Sequence, residues 1–117
     1  MKDLNIGAFL LHQATERTFT AVALVYTGYK PRTHNIEKLL NFNWNYSRDL
    51  GAVFIPQDNR DKHLFKLLKK AYIDARYKKS YKITEEELAA LIEKVTIFQQ
   101  TAERLCEVQI ASYKGVR

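Results

Sequence analysis

Apolar side chains recur every three to four residues along two long stretches of the chain, and this spacing predicts two long helices. The first stretch runs from about Leu4 to Thr27, close to the 3.6-residue period of an α-helix. Further apolar residues widen its apolar arc, which is typical of a helix that is central in a bundle or covered by a partner subunit. Gly28 and Pro31 follow directly, so the helix is predicted to end before them.

The second long stretch begins with the clearest local signal in the sequence. Thr84 and Glu87 have the spacing of a capping box, in which each side chain bonds to the backbone N–H of the other residue. Glu85 and Glu86 also favour the positive end of a helix dipole. Apolar residues then keep helical spacing well past residue 105, which predicts a helix over most of the C-terminal third.

The middle of the chain predicts two further helices and one irregular connection. A short helix is expected after Thr33 or Asn35, either of which can cap free backbone N–H groups. The region from Asn41 to Asn59 interleaves asparagines with aromatic residues, and we interpret it as a connection packed by its aromatic side chains. A third helix, from about Asn59 to Tyr77, places leucines on one side and most of its lysines on the other.

These four segments predict the fold class. The chain has two prolines, four glycines and no repeat or flexible linker, so residues 1–117 are expected to form one domain. Helices joined by short connections predict an all-α, antiparallel up-and-down bundle of four to five helices. Excess apolar surface on the two long helices predicts a homodimer.

Composition narrows the class of protein. No stretch approaches the roughly 20 uninterrupted apolar residues that a membrane span needs, and no signal-peptide pattern opens the chain. We therefore expect a soluble, cytoplasmic protein with no membrane partner. Cys106 is the only cysteine, and without a disulfide partner it is interpreted as a small apolar residue.

Positive charge is concentrated in one segment. The whole chain has a net charge of +6, and residues 60–82 contain nine Lys and Arg residues against two Asp residues, a net +7. A basic patch favours polyanions such as RNA, nucleotides or an acidic protein surface. A solvated helix face that only aids solubility explains the same pattern equally well.

Three short motifs resemble one family. The stretch LLHQATERTFTAVALVYTGYKPRTHNIEKLL (residues 10–40) contains a His-Gln-Ala-x-Glu segment and a Pro-x-Thr-His turn. The stretch AYIDARYKKSYKITEEELAALIEKV (residues 71–95) contains Asp-Ala-Arg-Tyr before the capping box. These stretches resemble prokaryotic HEPN domains of the nucleotidyltransferase-associated type and cover roughly half of the chain.

The resemblance implies an all-α bundle, frequent homodimerisation, and association with nucleotides or RNA beside a nucleotidyltransferase domain or subunit. It also suggests that the chain is the C-terminal domain of a longer polypeptide with a nucleotidyltransferase upstream. Some members are metal-independent ribonucleases that use an Arg-x(4–6)-His motif. That spacing is absent here, because Arg32 lies two residues before His34 and Arg60 three before His63. The positions after Arg76 hold Lys78, Lys79, Ser80 and Tyr81 instead of a histidine.

A polar stripe on the first predicted helix supplies the candidate site. His12 and Glu16 lie one turn apart, beside Gln13 and Arg17, and buried polar groups need partners. One interpretation is a hydrogen-bond network satisfied within the bundle. The other is one wall of a nucleotide or phosphate groove, completed by four residues of the basic segment. These four residues are Arg76, Tyr77, Lys78 and Lys79.

In that groove, Tyr77 would stack on a base and the cations would bind phosphate. The adjacency of the stripe and the basic segment follows from the resemblance alone. His34 is interpreted as a residue at the start of a helix, outside this site. No metal-ligand spacing or cofactor motif is present, so no metal, cofactor or catalytic residue is assigned.

The resulting hypothesis is an accessory domain that associates with nucleotides or RNA and acts with a nucleotidyltransferase, without being an enzyme itself. The alternative is a protein-interaction or dimerisation module with no nucleotide ligand. A third hypothesis is that the protein is a ribonuclease with a rearranged site that uses His12 and Arg76.

Overall fold

A computed structural model describes residues 2–115 and shows an all-α bundle, which confirms the predicted fold class. Within this part of the chain there are six helices and no strand. The helices are α1 (Lys2–Thr27), α2 (Ile36–Trp44), α3 (Arg48–Ala52), α4 (Asn59–Lys70), α5 (Asp74–Tyr77) and α6 (Glu85–Gly115).

Three helices give the bundle its up-and-down order. The long helices α1 and α6 run side by side in the same direction, since Leu88 packs on Gly7 near their starts and Tyr26 Oη donates to the Leu105 carbonyl near the other end. Helix α4 runs the opposite way. Its first turn meets α6 at an ion pair of 3.4 Å between Asp61 and Lys94, whereas Leu67 near its end accepts a hydrogen bond from Tyr81, just before α6 begins. Along the bundle axis, α1 and α6 therefore point in one direction and α4 points in the other.

The core is built around three phenylalanines from different parts of the chain. Phe98 of α6 lies with its ring centroid 4.7 Å from Phe19 of α1 and 4.9 Å from Phe54. Phe54 follows α3 and is buried, so aromatic packing of the connection is confirmed there. Burial of large aromatic rings is among the strongest contributions to a core of this size.

The same connection is more helical than predicted. Helix α2 continues to Trp44, and α3 forms one further short helix within the predicted irregular region. Asn43 explains the longer α2, because its buried Nδ2 donates to the carbonyl oxygens of Leu39 and Phe19. An asparagine that is bonded in this way does not interrupt a helix.

The helix ends follow the predicted signals. Gly28 has a φ of +72°, and its N–H donates to the Leu24 carbonyl at 2.8 Å, as at many helix C-termini. Asn35 is the cap of α2, with its Oδ1 accepting from the Lys38 N–H. The capping box of α6 is complete, with Thr84 and Glu87 bonded reciprocally. Helix α1 begins two residues earlier than expected, at Lys2.

The third predicted helix is not continuous, and that prediction was wrong. Helix α4 ends at Lys70, residues 71–73 form a turn, and α5 begins at Asp74. The Ala71 N–H donates to the Leu68 carbonyl, three residues back, instead of four. This tighter turn leaves Tyr72 directed towards α1, where its ring contacts Phe9.

Within residues 2–115, no helix combines the length and the apolar character needed to cross a membrane.

Candidate functional site

Arg76 of α5 is held in one orientation by aromatic side chains and a backbone carbonyl. Its guanidinium carbon lies 4.4 Å from the ring centroid of Phe9, 5.1 Å from that of Tyr72 and 5.0 Å from that of Tyr77. Its Nε donates to the Tyr72 carbonyl at 2.9 Å. Rings attract a cation to their faces, so the guanidinium is oriented before any ligand arrives.

The terminal nitrogens of this guanidinium are available for an anion. In residues 2–115 Arg76 takes part in no ion pair. The neighbouring carboxylate of Asp74 lies 3.6 Å from Lys78 Nζ instead. A guanidinium presents its terminal N–H groups as a planar fork that matches the oxygens of a phosphate or carboxylate.

An open groove of about 920 Å³ lies beside Arg76. It is bounded by α5, by the segment that leads to α6 and by the start of α1. Its polar lining is basic or neutral and includes no acidic residue. The side chain of Tyr77 is 73% exposed and so offers a ring face at the groove. The lining residues with polar or aromatic groups are Asn5, Arg76, Tyr77, Lys78, Lys79, Tyr81, Lys82 and Thr84.

The polar stripe of α1 lies behind the same aromatic cluster. Glu16 Oε1 is 2.9 Å from Nδ1 of His34, and an ionised carboxylate can only accept, so Nδ1 carries the proton in this pair. The His34 ring stacks on Tyr72 with centroids 4.3 Å apart and an interplanar angle of 12°. Tyr72 therefore contacts both the stripe and Arg76.

His12 occupies the buried end of this cluster. Its side chain is fully buried, its ring centroid is 5.4 Å from that of Tyr72, and neither ring nitrogen has a hydrogen-bond partner. Nδ1 is 3.9 Å from Glu16 Oε1, beyond hydrogen-bond distance. Burial lowers the pKa of His12, so the imidazole is neutral at physiological pH. The expected network inside the bundle thus includes Glu16 and leaves His12 out.

The groove is lined by the four predicted residues of the basic segment but by none of the three predicted residues of α1, so the predicted α1 wall is not formed. His12 and Glu16 lie behind Tyr72 instead. Arg17 lines a different cleft, between α1 and α6, together with Gln99 and Glu103 of α6. Its charge is not part of the Arg76 groove.

Three residues of the cluster were not predicted: Phe9, His34 and Tyr72. Tyr72 fell within the predicted continuous third helix, and His34 was placed at a helix start. The spacing of Tyr72 and Arg76, four residues apart, was a signal that the two side chains can meet on one helical face. No local pattern indicated that the segment after α1 returns His34 to Glu16.

The carboxylates and imidazoles of the cluster do not form a metal site. In the described part of the chain, no group of three or more His, Cys, Asp or Glu residues is arranged to hold a metal ion.

Comparison with known proteins identifies the family. The model of the HEPN domain matches residues 1–105 of the chain, so this chain belongs to the HEPN domain family. No curated protein sequence matches it. Membership in this family is consistent with accessory roles related to nucleotides or RNA, and also with ribonuclease roles.

Proposed function

We propose that this domain binds a nucleotide or a short stretch of RNA at the Arg76 groove and acts as an accessory module of a nucleotidyltransferase domain or subunit, without catalysing a reaction itself. The observation that carries the proposal is the guanidinium of Arg76, which is fixed by three aromatic rings and lacks a carboxylate partner within residues 2–115.

The chemistry of the groove supports a ligand that combines phosphate with a flat ring. The Arg76 fork supplies bidentate bonds to phosphate oxygens, which simple surface lysines do not. Lys79 and Lys82 add positive charge along the same groove. The exposed ring of Tyr77 suits stacking on a base, because every base has a π-face whatever its sequence.

The experiment is a salt-titrated binding assay with ATP, GTP and a short single-stranded RNA. Arg76→Ala is expected to weaken binding about tenfold to hundredfold, since hydrogen bonds to charged groups contribute ~1.5–3 kcal/mol. Arg17→Ala is the matched control, because it removes the same charge outside the groove. Lack of binding at low salt, where phosphate contacts are strongest, or equal losses in both variants would refute the proposal.

The ribonuclease alternative that uses His12 and Arg76 has little geometric support. A general acid or base must come within hydrogen-bond distance of the proton that it transfers, and His12 is fully buried behind Tyr72. We expect purified protein to bind RNA without cleaving it. Cleavage that disappears in His12→Ala would contradict this expectation and support the ribonuclease alternative.

The second candidate function is a protein-interaction module, and exposed apolar side chains favour it. Ile6, Leu10 and Leu24 on one face of α1 are 47–56% exposed, and Ile92 of α6 is 49% exposed. We propose that this face pairs with a second copy of the chain. Sedimentation equilibrium should then show dimers at micromolar concentration and monomers for Leu10→Asp; a monomeric wild type would refute this pairing.

A nucleotidyltransferase partner is the other candidate for the same surfaces. Tight binding to such a subunit without competition by nucleotides would favour the interaction module. Competition by ATP or RNA would instead place the partner's contact at the Arg76 groove.

A further inference from the structure

A second basic pocket lies on the far side of the segment that borders the Arg76 groove. It is a cleft of about 220 Å³ between α4 and residues 80–82. Three lysines surround it: Lys66 and Lys70 from α4, and Lys82 from the segment. The α4 residues His63, Lys66 and Lys70 are spaced three and four apart, so they share one face of the helix.

The position of the segment is fixed by a buried tyrosine. The hydroxyl of Tyr81 donates to the Leu67 carbonyl of α4 at 2.8 Å, and the residue is 7% exposed. Burial raises the pKa of Tyr81, so its hydroxyl stays neutral and adds no negative charge. The bond holds Ser80 and Lys82 against α4, with both side chains at the pocket.

The lysines of this pocket have no direct carboxylate partner within the described residues, although Asp74 lies in the lining. In the part of the chain that the structure describes, Lys66, Lys70 and Lys82 form no ion pair. The one carboxylate in the lining, Asp74, lies near Lys78 Nζ. Unpaired lysines that converge on a cleft repel one another, and a bound anion removes that repulsion.

The size of the pocket limits what it can bind. A volume of about 220 Å³ is smaller than the roughly 300–1,000 Å³ of pockets for drug-sized ligands. It has room for a single tetrahedral anion with some water. Ser80 adds a hydroxyl, and the ring of His63, bonded through Nε2 to Glu87 at 2.8 Å, borders the same space.

The pocket and the Arg76 groove share a wall. Tyr81 and Lys82 line both cavities, so the two basic sites lie on either side of one short segment. We propose that the pocket formed by His63, Lys66, Lys70, Ser80 and Lys82 is a second phosphate subsite, which takes a further phosphate of the ligand whose first phosphate binds Arg76. This inference rests on the proposed function, and it defines the ligand as one with at least two phosphates.

The first test measures binding of a short single-stranded RNA to Lys66→Ala/Lys70→Ala and to a matched control, Lys38→Ala/Lys62→Ala. Both double variants lose two exposed positive charges, and the control residues lie outside the pocket. The subsite variant is expected to bind at least about tenfold more weakly than the control. Its slope of log K against log salt should fall by roughly 1.4, the value for two lost contacts to a single strand. Equal losses in the two variants would overturn the subsite.

The second test identifies the source of the second phosphate. ADP is compared with AMP, and a dinucleotide with two phosphates is compared with one that has a single phosphate. A gain for ADP assigns the subsite to a nucleotide's own diphosphate, and a gain for the dinucleotide assigns it to an RNA strand. Either gain must disappear in Lys66→Ala/Lys70→Ala, and the absence of both gains would overturn the proposal.

A third measurement separates the subsite from the proposed function. Inorganic phosphate is titrated into the full chain while the NMR signals of the His63 ring are followed. A saturable shift that is absent in Lys66→Ala/Lys70→Ala supports the subsite even if no nucleotide binds. No shift at all would overturn the subsite, and loss of RNA binding in Arg76→Ala would still support the groove.

Discussion

The two basic regions of the bundle hold their charges in different ways. On α5, Arg76 is fixed by Phe9, Tyr72 and Tyr77, and its Nε is bonded to a backbone carbonyl. On α4, most lysines extend from an exposed face, and Lys69, which is paired with Glu37 at 3.7 Å, is the exception. The Arg76 region is preorganised, whereas the α4 lysines must be ordered when they bind.

This difference separates a preorganised site from one that must become ordered on binding. Immobilising a long side chain costs about 0.5–1.5 kcal/mol on binding, and Arg76 has already lost much of that freedom in the free protein. Exposed charges separated by more than about 8–10 Å are also screened at physiological salt. By charge density alone, α4 would be a better candidate than α5 for the main anion-binding site. The order of the Arg76 side chain makes α5 the better candidate.

Among the rings around Arg76, the largest effect is expected from Tyr77, which is the most exposed. Tyr77→Ala should weaken binding of ATP or RNA about tenfold or more, because stacking of a base on an aromatic ring contributes ~1–3 kcal/mol. Tyr77→Phe should bind like the wild type. Inorganic pyrophosphate has no base, so its affinity should fall only about twofold to fivefold, the loss expected from one cation–π contact to Arg76; an equal loss for pyrophosphate and ATP would show that Tyr77 acts only by holding Arg76.

A smaller effect is expected from the ring that orients Arg76 from behind. Tyr72→Leu removes one cation–π contact, worth ~0.5–1 kcal/mol at exposed sites, and should weaken binding about twofold to fivefold for ATP and pyrophosphate alike. Tyr72→Phe retains the ring and should leave affinity unchanged. Wild-type affinity in Tyr72→Leu would show that Arg76 needs no such support, which would remove the contrast with the α4 lysines.

A further effect, on stability and not on binding, concerns the buried histidine of the same cluster. The pKa of His12 is lowered from 6.5 by burial, so below about pH 6.5 the unfolded chain takes up a proton that the folded chain does not. The free energy of unfolding should therefore fall as pH decreases, by at most ~1.4 kcal/mol per pH unit. Chemical denaturation between pH 7 and 5 should show a smaller decrease for His12→Leu, and equal slopes would contradict the assignment.

Local signals in the sequence predicted the helix ends well. Gly28, Asn35 and the pair Thr84 and Glu87 act through atoms only a few residues away, so their geometry follows from the chain itself. The apolar period also predicted the all-α class, because a helix with one wide apolar face must pack against others.

The site was predicted only in part, because it depends on contacts between distant segments. The apolar residues keep their helical spacing across the interruption after Lys70. The spacing therefore gave no sign of the turn that directs Tyr72 towards α1. His34 reaches Glu16 through a segment that doubles back across 18 residues. Arg17 was predicted at the same site as Glu16, but one residue turns a helix by about 100° and places the two on different sides of α1.

The central claim is that a fixed guanidinium, not positive charge alone, makes the Arg76 groove a binding site. Arg76→Lys tests it most directly, because this variant retains the charge and loses the planar fork and its bond to the Tyr72 carbonyl. Measured against the wild type and Arg76→Ala with the same single-stranded RNA, Arg76→Lys should bind at least about tenfold more weakly than the wild type, near the alanine variant. Affinity equal to that of the wild type would contradict the account, since any surface lysine would then serve as well.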